Sequence, residues 1–221
     1  MPAKNSRKTY AANGYYHLYN RGVEKRTIFQ DQQDYGVFLS YLKEYLLPKD
    51  EAELHKKLSD PDSSYQDRDK VLKQLRLNNF NQEITLLAYC LMPNHFHFFL
   101  KQKSMGAIDK FMNSLGTRYT MYFNRKYKRV GSLYQGVYKA VPITNEAQFV
   151  YLSKYIHKQG LALQAQASSY EEYMGKRNTT WVHPEEVLEY FSKTNSLLSY
   201  ENFVRESIAP GLLKDIDLDE D

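Results

Sequence analysis

A chain of 221 residues, 42% of them hydrophobic, can bury one core of ordinary size, which excludes two full domains and leaves room for a small appendage. Its single cysteine, Cys90, excludes an internal disulfide. Residues 1–14 hold no apolar leader and no run approaches the ~18–20 apolar residues a bilayer needs, so a cytoplasmic protein is expected.

The formal net charge of +4 says little, but its distribution says more. Residues 110–145 carry Lys110, Arg118, Arg125, Lys126, Lys128, Arg129 and Lys139 and no acid. The N-terminus adds Lys4, Arg7 and Lys8, whereas the last residues, DIDLDED, hold five acids. Such polarity suits a basic surface for a polyanion and a solvated acidic tail, although basic stretches are as often plain solvated faces.

In chain order, GYYHLYNRG (14–22) reads as an aromatic first strand closed by an Asn-Arg-Gly turn. Phe29, Phe38, Leu39, Leu42, Leu46 and Leu47 then recur in helical rhythm, with Asp31 or Asp34 as the start and Pro48 as the stop. Residues 49–79 are crowded with charge and contain SDPDSS; Leu54, Leu58, Leu72, Leu75 and Leu77 permit short helices but no strand, so a surface excursion is expected. Two strands follow, about 83–91 and 95–101, around a Met-Pro-Asn turn.

Ile108, Phe111, Met112, Leu115, Tyr119, Tyr122 and Phe123 step by three and four, which predicts a helix with basic residues toward its end. GSLYQGVYKAVPIT predicts a fourth strand, and TNEAQFVYLSKYIHKQG a helix capped by Thr144 or Asn145 and stopped at Gly160. The order β-α-β-β-α-β-α opens with the six elements of a ferredoxin-like split βαβ unit. The fold class is therefore α+β, an antiparallel sheet backed by helices with a further helix and a helical C-terminal extension. The divisions are 1–167, with a charged insertion at about 48–79, then the extension at 168–208, anchored at Trp181, then a fraying acidic tail at 209–221.

LMPNHFHFFL sets His95 and His97 two residues apart in a strand, so both rings project from one side while Phe96 and Phe98 face the other. Neighbouring imidazoles chelate a divalent cation readily. By itself the spacing is more often two satisfied histidines at a sheet end. In YLSKYIHKQG, however, Tyr151, Tyr155 and Gln159 share one helix face. Gln159 can offer a carbonyl oxygen to a cation and Tyr155 a hydroxyl one turn away. The plain alternative is an amphipathic helix packing its tyrosines on the sheet.

LMPNHFHFFL resembles the His-hydrophobic-His signature of the HUH endonucleases, in the form carried by single-tyrosine transposases and especially the REP-associated tyrosine transposases of bacteria. YHLYNRGVEKRTIF with DYGVFLSYL resembles that family's opening strand and helix, GSLYQGVYKAVPI its fourth strand and YIHKQG its tyrosine helix. The resemblance spans residues 15–163, with a looser SSYEEY beyond. It implies that Tyr155 is the nucleophile, that His95 and His97 are metal ligands, and that Gln159 is a polar third ligand. Many REP-associated members read Tyr-Ile-His-x-Asn-Pro there, so Gln159 replaces an asparagine and Gly160 a proline. Glutamine at that place also occurs among insertion-sequence relatives.

The function so implied is a single-stranded or hairpin DNA endonuclease and strand transferase using Mg²⁺ or Mn²⁺. Tyrosine attack would give a 5′-phosphotyrosine and a free 3′ hydroxyl. Arg118, Arg125, Lys126, Lys128, Arg129 and Lys139 would bind the DNA backbone, and Asn94 would orient His95 or touch phosphate. Lys154 and His157 flank Tyr155 but point off its face, so no general base is assigned. The alternatives are a DNA-hairpin-binding protein without cleavage, a metal nuclease using water, or, less in keeping with the motif order, a relaxase or replication initiator. The chain is expected to act as a monomer or as a homodimer exchanging the tyrosine helix.

Overall fold

Alternation along four strands divides the side chains between two layers. The strands are β1 (Tyr15–Arg21), β2 (Ile84–Met92), β3 (His95–Gln102) and β4 (Lys139–Ile143). They form one antiparallel sheet in the order β2-β3-β1-β4, that of the split βαβ unit. The structure, a computed structural model, describes residues 8–161, 163 and 167–207. Lys4, Arg7 and the tail at 209–221 lie outside the described residues.

The expected Asn-Arg-Gly turn is corrected. Asn20 and Arg21 stay in β1, paired with Phe96 and His95, and the chain turns away only at Gly22. The Gly22 amide donates to the Asn94 carbonyl at 2.8 Å. A Cβ there would lie 2.2 Å from the Arg26 carbonyl oxygen, so the departure requires glycine.

On one face, Leu18, Phe96, Phe98 and Leu100 pack against α1 (Gln32–Leu46) and α4 (Ala107–Lys126). Asp31 caps α1 by accepting from the Asp34 amide, while Asp34 itself is fully buried. The charged segment is a pair of helices, α2 (Glu51–Ser59) and α3 (Tyr65–Arg76), capped by Asp50 and Ser64. Of their described residues only Val71 is buried, as a surface excursion requires.

On the other face lies α5 (Glu146–Gly160), capped by Asn145. Its Leu152, Tyr155 and Ile156 pack on Tyr19, Ala88, Cys90, Phe99 and Val141. A bulge between Leu86 and Ala88 puts Leu87 and Ala88 both in this layer, while Leu86 and Tyr89 pack in the first. The extension, with α6 (Tyr170–Tyr173), α7 (Glu185–Leu188) and α8 (Tyr200–Arg205), adds Tyr173, Val187, Tyr200 and Val204 to this second core. Trp181 anchors it by stacking on Tyr89 at 5.7 Å. Among the described residues no helix is long and apolar enough to cross a membrane.

The last turn of α5 touches the extension closely. A Cβ on Gly160 would sit 2.6 Å from Ser168 Cβ and 2.7 Å from its hydroxyl oxygen. Gly160→Ala should therefore overpack this joint and cost about 1–3 kcal/mol, read as a lower Tm. Beneath it, Cys90 is fully buried, and burial pushes its thiol up to about 12. In the native protein Cys90 should resist iodoacetamide and react only on unfolding, as intact-mass measurement would record.

Candidate active site

Period-two alternation turns His95, His97 and Phe99 of β3, with His17 and Tyr19 of β1, toward α5. In the register His97 stands opposite Tyr19, and His17 opposite Phe99, so the two histidines are diagonal neighbours on one face. Helix α5 runs antiparallel to β3 above them. Four residues of helix advance ~6 Å, close to the ~6.7 Å covered by two residues of strand. Tyr155 consequently lies over His97 and Gln159 over His95. The Tyr155 ring meets His97 edge-on at 5.5 Å and His17 at 5.9 Å. Gln159 Oε1 is 3.4 Å from His95 Nε2.

The hydrogen bonds around the imidazoles are uneven. His95 Nδ1 lies 2.6 Å from Asn94 Oδ1, an acceptor; in the neutral ring with its proton on Nδ1, the Nε2 lone pair faces the Gln159 oxygen. Asn94 Nδ2 in turn donates to the Lys25 carbonyl at 3.3 Å. His97 Nδ1 is 2.8 Å from His17 Nε2, while His97 Nε2 is buried with no hydrogen-bond partner. Burial lowers the His17 pKa to about 3. It also holds His97 well below the usual histidine range, helped by the neighbouring His17 and His95. Both rings are therefore neutral, the state a metal ligand needs.

This donor set fits a cation: in that tautomer of His95 a facing imidazole nitrogen and carbonyl oxygen are both acceptors, and beside them stands the His97 Nε2 that has no hydrogen-bond partner. Among the described residues no group of three or more His, Cys, Asp or Glu side chains could hold a metal, so a third protein ligand here would come from another residue type, and the Gln159 amide oxygen lies 3.4 Å from His95 Nε2.

The flanks of Tyr155 face elsewhere. His157 is fully buried, 2.5 Å from the Tyr200 hydroxyl and 2.8 Å from Ser169 Oγ, and so clamps α5 to the extension. The Lys154 ammonium lies over the Phe203 ring at 4.4 Å and donates to the Ser207 carbonyl at 3.2 Å. Tyr151 packs edge-on against Phe203 at 5.2 Å.

The basic tract is not uniformly available. Arg118 pairs with Glu44 at 2.7 Å and covers the Tyr41 ring. Lys126 pairs with Asp31 at 2.7 Å and Asp34 at 2.8 Å, and Arg129 donates to Asn124 Oδ1 at 2.8 Å. Lys139 begins β4, whereas Arg125 and Lys128 are exposed. The tract sits near the end of the sheet that carries His95: the Tyr119 hydroxyl donates to the Ile28 carbonyl, and the Ile28 amide to the carbonyl of Pro93.

Residues 64–159 match the family described as Transposase IS200 like. The matched span contains His95, His97, Tyr155 and Gln159, whereas β1, with His17, and the extension lie outside it. The matched span thus carries α3, β2, β3, α4, β4 and nearly all of α5. No curated protein matches the chain. Two solved structures are similar to it. One is a REP-associated tyrosine transposase bound to a REP hairpin, with a TM-score of 0.45 and 9% identity over 82% of this chain and 98% of that one. The other is a protein of Deinococcus radiodurans R1, provisionally described as a transposase, with a TM-score of 0.29 and 16% identity over 70% of this chain and 96% of that one.

His17 is the member of the constellation that spacing along the chain does not reveal. The available signal is the alternation Tyr15, His17, Tyr19, which puts one imidazole among inward-facing rings.

Proposed function

We propose that this chain is a metal-dependent endonuclease and strand transferase of single-stranded, hairpin-bearing DNA, with Tyr155 as its nucleophile. The carrying observation is that one rigid helix sets Tyr155 against His97 and Gln159 opposite His95, all within one chain. That arrangement supports a site complete without exchange of the helix between subunits.

In the reaction, Tyr155 Oη attacks the scissile phosphorus in line, the Oη–P bond forms, the P–O3′ bond breaks, and the phenolic proton is released. The strand leaves with a 3′ hydroxyl while its partner stays joined to Tyr155 through the 5′ phosphate. Attack on that ester by a 3′ hydroxyl of another strand restores a phosphodiester and the phenol without ATP. His95 Nε2, His97 Nε2 and Gln159 Oε1 would hold Mg²⁺ or Mn²⁺, the imidazoles favouring Mn²⁺. When bound, the cation supplies positive charge against the charge developing on the phosphate. Asn94 keeps the His95 lone pair turned toward Gln159.

Tyr155 is only 6% exposed, a recess that a flexible strand can enter with a phosphate and a rigid duplex cannot. Arg125 and Lys128, exposed and without acids in their own stretch of chain, are the best placed of the tract to hold backbone phosphates. Arg125→Ala should weaken oligonucleotide binding evenly across sequences and flatten the log–log salt slope by about one unit.

The deciding experiment is incubation with 5′-hairpin single-stranded oligonucleotides and Mn²⁺, followed by denaturing electrophoresis. A covalent protein–DNA band that EDTA abolishes is expected. Cleavage without a band would indicate a nuclease using water, and binding with neither a DNA-holding protein.

A further inference from the structure

His17 is fully buried on β1, outside the transposase-family span, and takes no part in the reaction above. Its ring lies nearly parallel to that of His97, at 13° and 5.1 Å between centroids, and the two nitrogens face each other at 2.8 Å. Of the four ring nitrogens, the inner two share this bond, and the outer two, His17 Nδ1 and His97 Nε2, are buried with no hydrogen-bond partner.

One hydrogen bond between two imidazoles needs one donor and one acceptor, so the pair has two neutral arrangements. In one, His97 Nδ1–H donates to His17 Nε2, which leaves His97 Nε2 as a lone pair and puts the second proton on His17 Nδ1. In the other, His17 Nε2–H donates to His97 Nδ1, and His97 Nε2 carries a proton that bars a cation. Each leaves one buried N–H and one buried lone pair unmatched, so the protein alone favours neither strongly.

We infer that His17 is a positioning residue whose Nε2 accepts the His97 Nδ1 proton, so that the two rings change tautomer together and open His97 Nε2 to a cation. This rests on the proposed metal-holding role of His97. Passing from the closed to the open arrangement moves one proton across the 2.8 Å bond, removes one from His97 Nε2 and adds one to His17 Nδ1, with no change in charge. His17 thereby reports the cation through a nitrogen that never touches it. It also fixes the plane of the His97 ring, as partners behind metal-binding histidines do.

The test is Mn²⁺ affinity, read from free Mn²⁺ by electron paramagnetic resonance, on the full chain and on His97→Ala, His17→Phe and His17→Gln. His17→Phe keeps the ring and removes the acceptor, so Mn²⁺ affinity should fall by roughly 10–100-fold. His17→Gln, whose amide oxygen can stand in for Nε2, should recover most of that loss. In parallel, ¹⁵N-resolved histidine spectra of the wild-type protein with saturating Mg²⁺ should show protons on Nδ1 of both His17 and His97. Wild-type affinity in His17→Phe, or a His97 Nδ1 without its proton in the Mg²⁺-loaded protein, overturns the inference. If His97→Ala also binds Mn²⁺ as the wild type does, the metal-site reading itself is what fails. Should His17→Phe not fold, the wild-type spectra still decide.

Discussion

Tyr155→Phe should form no covalent protein–DNA band, and its cleavage of a hairpin oligonucleotide with Mn²⁺ should fall on the order of 10⁴-fold or more. The substitution removes one oxygen and leaves the ring that packs on His97 and His17, so the geometry of the recess is kept. Loss of the hydroxyl's own contacts costs about 1 kcal/mol at most in stability. The neighbouring hydroxyls do not substitute. Tyr151 packs on Phe203, and the Tyr200 hydroxyl is engaged by His157. A band of undiminished intensity from Tyr155→Phe would take the tyrosine out of the role given to it. Loss of cleavage with a Tm lowered by roughly 10 °C would point to a folding defect instead.

Asp34→Ala should be the most damaging single change outside the site. The carboxylate is fully buried and accepts from the Gln30 amide at 2.8 Å, Tyr122 Oη at 2.9 Å, Tyr127 Oη at 2.8 Å and Lys126 Nζ at 2.8 Å. Those four donors come from the turn before α1, from α4 and from the residue after it, so the cluster joins two helices. Desolvation opposes it, yet Lys126 is pushed up by its hydrogen bonds to Asp31, Asp34 and the two tyrosines. Removing one partner of a buried pair leaves donors without an acceptor, a loss of roughly 3–5 kcal/mol. At roughly 2–4 °C per kcal/mol for a chain of this size, Tm should fall by roughly 6–20 °C in a calorimetric scan. Asp34→Asn keeps one acceptor oxygen and should lie between. A Tm within about 2 °C of wild type in Asp34→Ala would mean that water replaces the carboxylate freely.

That cluster also shows where reading along the chain stops. Between residues 110 and 145 there is no acid, which made the stretch look like an uncompensated basic face. The acids that neutralise Arg118 and Lys126 are Glu44, Asp31 and Asp34, placed 74, 95 and 92 residues earlier. They arrive because α1 and α4 pack side by side on the same face of the sheet. The clamp of His157 onto Tyr200 and Ser169 is of the same kind, since helical offsets say that it leaves the face of Tyr155 but not what it meets.

The sequence by itself determined the elements and their order, the common side of His95 and His97, and the common face of Tyr155 and Gln159. These follow from the periods of two and 3.6 residues that the backbone imposes on any strand or helix. Only the tertiary structure decided that the two faces meet, that Asn94 turns the His95 ring, and that His17 stands behind His97. The last depends on the register between β1 and β3, eighty residues apart, and a slip of one residue would turn His17 to the opposite layer.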